Sequence, residues 1–198
     1  MGAKAKPWVK TSFGPGSLTV ADYLKAADLQ QHLDSIGFNI VGFGCTTCIG
    51  NSGPLPEDIV TQIHDRDLKV GAVLSGNRNF KGRVHKETQG QFLATPYLVV
   101  LYALRGTFHW DPFTEPVFED ADGNPVMMSD LIPSETELQN AMKHVEVNMF
   151  VNNRKNLTQG SPEWDNLKIS ASPTFEFNPE STYVQRPSFM DGMTLKES

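Results

Sequence analysis

Two cysteines, Cys45 and Cys48, stand two residues apart in the string Gly42-Phe43-Gly44-Cys45-Thr46-Thr47-Cys48-Ile49-Gly50-Asn51-Ser52-Gly53. Thiolates at that spacing serve redox exchange, half of a zinc site, or part of an iron–sulfur ligand set. The chain has 2 cysteines in all, too few for the bridged framework of a small secreted domain, so the spacing points to metal or redox chemistry in a reducing compartment. A zinc site needs two more ligands nearby. No second cysteine pair exists, and His32 and His64 fall on helical faces, where a histidine is more often structural. A redox pair of the thioredoxin type opens a helix directly, whereas Pro54 and Pro56 postpone the helix here. A second window, Asn77 to Lys86, carries Arg78, Lys81, Arg83, His85 and Lys86 with no carboxylate. Such a window suits an anionic partner, and a solvated loop explains it equally well.

Both windows follow apolar runs that read as strands. Phe38 to Phe43 leads into Cys45, and Leu68 to Leu74 leads into the basic window. Trp8 to Phe13 alternates and ends in Gly-Pro-Gly, a further strand into a loop. Between the strands, Thr19 can cap a first helix whose stripe Leu29, Leu33 and Ile36 stops at Gly37. Pro54 and Pro56 open a helix holding Ile59 and Ile63, and Thr95 caps an apolar, buried helix from Pro96 to Leu104 that stops at Gly106. Strands alternating with helices imply a parallel sheet with right-handed crossovers, with ligands outside the carboxyl ends of the strands. The two windows should therefore share one sheet edge.

The rhythm changes after Thr107. Asp122-Gly123-Asn124 reads as a hairpin turn between Val117-Phe118 and Val126-Met127. Ser134 with Glu137 forms a capping box for a helix bearing Leu138, Met142, Val145 and Met149, and beyond it prolines break the tail into short pieces. Three segments result: 1–108 as an α/β half-domain holding both windows, 109–133 as a Pro/Gly/Asp-rich connection with a hairpin, and 134–198 as a helix and an extended, irregular α+β tail.

Composition narrows the classes of function. At 198 residues, with 39% hydrophobic and 20% charged side chains, the chain fits neither a disordered nor a membrane class. Its longest apolar run, Tyr97 to Leu104, falls far short of the ~18 residues of a membrane span. The start has no apolar signal core, so a cytoplasmic setting is expected, or a mitochondrial matrix if the source is eukaryotic. Net charge is −6. Residues 1–99 are slightly basic and 100–198 strongly acidic, which places any anionic partner on the front half and disfavours bulk nucleic-acid binding.

The longer strings are more specific than the two cysteines. Gly42 to Leu55, with its Cys-Thr-Thr-Cys-Ile-Gly-Asn-Ser-Gly-Pro-Leu core, resembles the second cysteine motif of the aconitase and iron-regulatory-protein family. Leu74-Ser75-Gly76-Asn77-Arg78-Asn79-Phe80-Lys81-Gly82-Arg83-Val84-His85 is similar to that family's substrate-binding segment. The resemblance runs from Lys6-Pro7-Trp8-Val9-Lys10-Thr11-Ser12 to Ser181-Thr182-Tyr183-Val184 and is closest to the bacterial-type branch. It implies a piece of a much longer enzyme, the later part of a three-layer α/β/α iron–sulfur domain and the start of a linker. It further implies that Cys45 and Cys48 are two of three cysteines holding a [4Fe–4S] cluster, and that Asn77, Arg78 and Arg83 hold substrate.

The chain also departs from the family pattern. No third cysteine is present, and the family's general-base serine and His–Asp elements lie outside these residues. Arg105-Gly106-Thr107 replaces the usual Ala-Gly-Thr; a cation at a helix C-terminus is tolerated. The resulting expectation is a fragment of an aconitate hydratase that interconverts citrate and isocitrate in the complete enzyme. Alone it should be inactive and apo, the missing domains being supplied by another chain, lost, or encoded outside these residues. A methylcitrate or 2-methylisocitrate dehydratase fragment, an iron-regulatory RNA-binding segment and a cluster-free remnant are the alternatives.

Overall fold

The helix expected between Thr19 and Gly37 folds as two helices rather than one. In the computed structural model, which describes residues 2–44, 53–76, 84–155, 157–168 and 172–194, α1 spans Leu18–Ala26 and α2 spans Gln30–Ser35. Asp28 separates them at φ +56, the left-handed region that aspartate tolerates better than most residues. Ser17, not Thr19, is the N-terminal boundary residue. Thr19 lies inside α1, buried, and its hydroxyl accepts from Asn153 Nδ2 at 3.2 Å. Gly37 ends the pair at φ +100.

The strands expected at Trp8–Phe13 and Phe38–Phe43 reduce to one parallel bridge between Phe13 and Ile40. Phe13 donates to Asn39 O at 3.1 Å and accepts from Val41 N at 3.0 Å. A strand is maintained by its neighbours, and with no further strand partner among the described residues, only the crossing point keeps ladder bonds. Helix α3, Glu57–Asp65, starts directly after Pro56 and buries Ile63.

The parallel sheet consists of β1, Gly71–Leu74, and β2, Gly90–Leu93, in register Gly71 to Gly90 through Leu74 to Leu93. β2 is unexpected from the sequence. Helix α4, Pro96–Arg105, begins at Thr95, whose side chain accepts from Leu98 N, and ends at Gly106 with φ +79. Its buried residues Leu101 and Leu104 meet Trp110 and Val117 to form the core, flanked by Tyr97, Tyr102 and Met128. Tyr102 and Trp110 meet edge to face at 5.1 Å, a favoured aromatic geometry.

The expected hairpin is present: β3, Phe118–Glu119, pairs antiparallel with β4, Pro125–Val126, around Gly123 at φ +82. Asp120 anchors the turn by accepting from Asp122 N at 2.9 Å and Asn124 N at 2.8 Å. A 3-10 turn, Met128–Leu131, follows. The capping box of Ser134 and Glu137 opens α5, Glu135–Met142. The single helix expected there is again two, because α6, Val147–Asn152, starts afresh after Glu146 in an extended conformation.

Contacts divide the chain into two compact units, Met1–Asn156 and Leu157–Ser198. The second contains α7, Pro162–Asp165, capped by Ser161, and a 3-10 turn at Ser188–Met190. Phe175 and Phe177 stack edge to face at 4.8 Å within it. Helices together with a parallel strand pair make this an α/β chain. Among the described residues, no helix is long and apolar enough to cross a membrane.

Candidate functional site

Cys45, Cys48, Asn77, Arg78 and Arg83 all lie outside the described residues, so the structure bears on them through the segments that enter and leave their two stretches. Gly44 delivers the chain to the cysteine stretch at φ +86, with its N–H donating to Pro15 O at 2.8 Å. Gly53 receives it at φ +72. Side chains are strained at both conformations, so glycine at each end follows from the path of the backbone. The basic stretch leaves the end of β1 and returns at Val84 and His85.

The two return points meet. The backbone N of Leu55 lies 3.5 Å from His85 Nε2, and Glu87 N lies 3.2 Å from His85 Nδ1. A neutral imidazole has one acceptor nitrogen, so only one of these contacts is a hydrogen bond at a time, and the shorter, to Glu87, has the better claim. His85 O accepts from the Thr88 hydroxyl at 2.8 Å, and Thr88 is itself buried. Gln91 Nε2 donates on to that hydroxyl at 3.3 Å, tying the return of the basic stretch to β2.

One charged contact braces this junction, and a lysine lies beside it. His64 on α3 reaches Glu87 with 2.8 Å between Nε2 and Oε2. That hydrogen bond, ahead of the opposing effect of burial, holds the Glu87 carboxyl below the usual glutamate range. Lys10 donates to Ser12 Oγ at 3.1 Å, and its Nζ lies 3.8 Å from where a Cβ on Gly53 would sit. Partial burial pulls its ammonium below the ordinary lysine range.

Neither the His64–Glu87 brace nor the placement of Lys10 was identifiable from sequence. The first pair is 23 residues apart with no pattern joining its members, and Lys10 is one lysine in a basic front half. Arg105, the departure noted above, pairs with Glu115 at 2.9 Å. Among the described residues, no group of three or more His, Cys, Asp or Glu side chains is placed to hold a metal. A groove of about 540 Å³ between α1 and α2 is mainly apolar, lined by Leu24, Leu29, Leu33 and Ile36 with His32.

The model of the aconitase family (aconitate hydratase) matches residues 1–106, a stretch that contains both strings and ends at the C-cap of α4. Aconitate hydratase A of Legionella pneumophila is 48% identical over 195 residues, covering 98% of this chain and 22% of that protein. Aconitate hydratase A of Bradyrhizobium diazoefficiens is 49% identical over 193 residues, covering 97% and 21%. That of Escherichia coli K12 is 47% identical over 193 residues, covering 98% and 22%. The chain thus spans about a fifth of the length of the relatives it matches.

Proposed function

The chain belongs to the aconitase family, and we propose that it is the cluster- and substrate-binding part of an aconitate hydratase, interconverting citrate and isocitrate through cis-aconitate when the rest of the enzyme is present. The observation that carries this reading is the family match across residues 1–106. The meeting of Leu55 with His85 supports it by bringing together the returns of the two stretches that the chemistry requires side by side.

Cys45 and Cys48 fit two thiolate corners of a [4Fe–4S] cluster. Glycines at φ +86 and φ +72 border their stretch, and small residues let backbone come close to inorganic sulfide. The third thiolate comes from outside these residues, which contain 2 cysteines. When bound, the cluster supplies a Lewis-acidic iron that polarises the substrate hydroxyl. Arg78 and Arg83 clamp carboxylates of the tricarboxylate bidentately, and Asn77 donates a further hydrogen bond. Together they hold the substrate in one orientation for loss and return of water. Neither the general base nor the third cysteine belongs to this chain, so alone it is inactive and apo. In the complete enzyme its β1–β2 pair is part of a three-layer α/β/α domain, working in a reducing, cytoplasm-like compartment.

Anaerobic reconstitution with iron and sulfide, followed by iron and sulfide analysis and visible absorbance, tests this reading. The lone chain should hold no stable four-iron cluster, and a polypeptide bearing the third cysteine should restore one. A stable cluster on the lone chain would refute the need for a third protein thiolate, and stoichiometric zinc would reassign the cysteines to a structural metal.

A further inference from the structure

Arginines that recognise carboxylates are open to any carboxylate within reach, including the chain's own. The window Asn77 to Lys86 contains no acidic residue, and Glu87 is the first carboxylate after it, four residues beyond Arg83. In the other direction the nearest is Asp67. Four residues of chain extend at most about 14 Å, and an arginine and a glutamate reaching toward each other cover much of that distance. A carboxylate tethered so closely has an effective concentration on the order of millimolar. It would compete with a substrate carboxylate for the same bidentate guanidinium. The structure holds Glu87 elsewhere. Its side chain is 14% exposed, and its Oε2 lies 2.8 Å from His64 Nε2 on α3. Its Oε1 faces Lys86 Nζ at 3.7 Å, a looser contact from an exposed lysine, and such pairs contribute little. His64 is therefore the principal tether of this carboxylate. The backbone around it has bonds of its own: Thr88 Oγ1 donates to His85 O at 2.8 Å, and Gln89 N donates to Val70 O at 2.9 Å. Loss of the His64 ring releases the carboxylate while these backbone bonds remain.

We propose that His64 is a positioning residue that holds the Glu87 carboxylate away from Arg78 and Arg83, so that both guanidinium groups stay available to the carboxylates of the substrate. The proposal rests on the reading given under Proposed function, and it gives the His64–Glu87 pair a second role, the removal of an internal competitor. A brace and a restrained competitor differ in one respect. If the pair only braces the junction, deleting Glu87 is as harmful as deleting His64. If His64 restrains a competitor, deleting Glu87 repairs the loss of His64.

The test reads phenylglyoxal modification of individual arginines by mass spectrometry in the full 198-residue chain, without cluster or substrate. In His64→Ala, modification of Arg78 or Arg83 should slow at least fivefold, because a guanidinium paired with a carboxylate is shielded from the reagent. His64→Ala combined with Glu87→Ala should return to the parent rate. So should His64→Gln alone, which keeps a donor for the carboxylate. Arg154, exposed beyond α6, should react alike in all four chains. Where His64→Ala does not fold, His64→Leu fills the place of the ring without supplying a donor and is read in its stead. Unchanged modification of both arginines in the folded single variant overturns the proposal, as does slowing that persists once Glu87 is also removed. None of these readouts needs a cluster or turnover, so a failed reconstitution and a failed arginine footprint remain separate results.

Discussion

Gly106 shows how much one residue can fix. It closes α4 at φ +79, and its carbonyl accepts from the Trp8 indole at 2.8 Å. A Cβ there would meet Lys6 Cγ at 2.5 Å and Lys6 Cβ at 2.9 Å. Gly106→Ala should therefore cost about 1–3 kcal/mol from the left-handed conformation and the contact combined, measured by the urea midpoint. At the junction of the two stretches, Glu87 sets a pH dependence. Its folded carboxyl titrates below the ordinary glutamate range because His64 hydrogen-bonds to it. The stabilisation is therefore complete above the unfolded value and is lost as pH falls through the lower folded one. Hydrogen exchange at Thr88 and Gln89 should accelerate over that acid window and much less in Glu87→Gln; identical acid profiles would exclude the link. The cysteines and arginines could be picked out in the sequence because their residue types and spacing are unusual. The His64–Glu87 brace could not, because nothing local in either segment signals a partner 23 residues away.

Helix α4 was readable in full, since cap, first-turn proline, apolar body and terminal glycine all agree. Its stability should nonetheless come mostly from packing. Thr95→Ala removes one cap and should cost about 1 kcal/mol, whereas Leu101→Ala, at a site 2% exposed, should cost about 2–5 kcal/mol. Equal losses in thermal or urea unfolding would count against that ordering. Elsewhere the pattern misled for physical reasons. The stripe Leu138, Met142, Val145 and Met149 continues across Glu146 although the backbone turns there, and the first helix breaks at Asp28, just ahead of its stripe; periodicity does not register a single non-helical residue. β2 escaped notice because Gly90-Gln91-Phe92-Leu93 neither alternates nor forms a long apolar run; its place beside β1 is a tertiary choice. The Phe13–Ile40 bridge illustrates the converse, two strand signals that meet at a single bridge among the described residues.

For the whole molecule, the core of Leu101, Leu104, Trp110 and Val117 lies entirely within Met1–Asn156. Truncation after Asn156 should therefore leave cooperative thermal unfolding of that unit intact; loss of its transition would show that the unit does not fold independently. The 198-residue chain should form no aconitate from citrate or isocitrate even after reconstitution, and robust turnover would overturn the reading of a partial enzyme. The chain's 3 tryptophans occupy three different settings. Trp110 is 7% exposed in the core, Trp8 is 59% exposed at its bond to Gly106, and Trp164 is 68% exposed in the second unit. The molecule therefore carries its own optical reporters. Iodide should quench Trp8 and Trp164 emission while leaving the blue-shifted component from Trp110, so one fluorescence titration distinguishes loosening of the core from events at the surface.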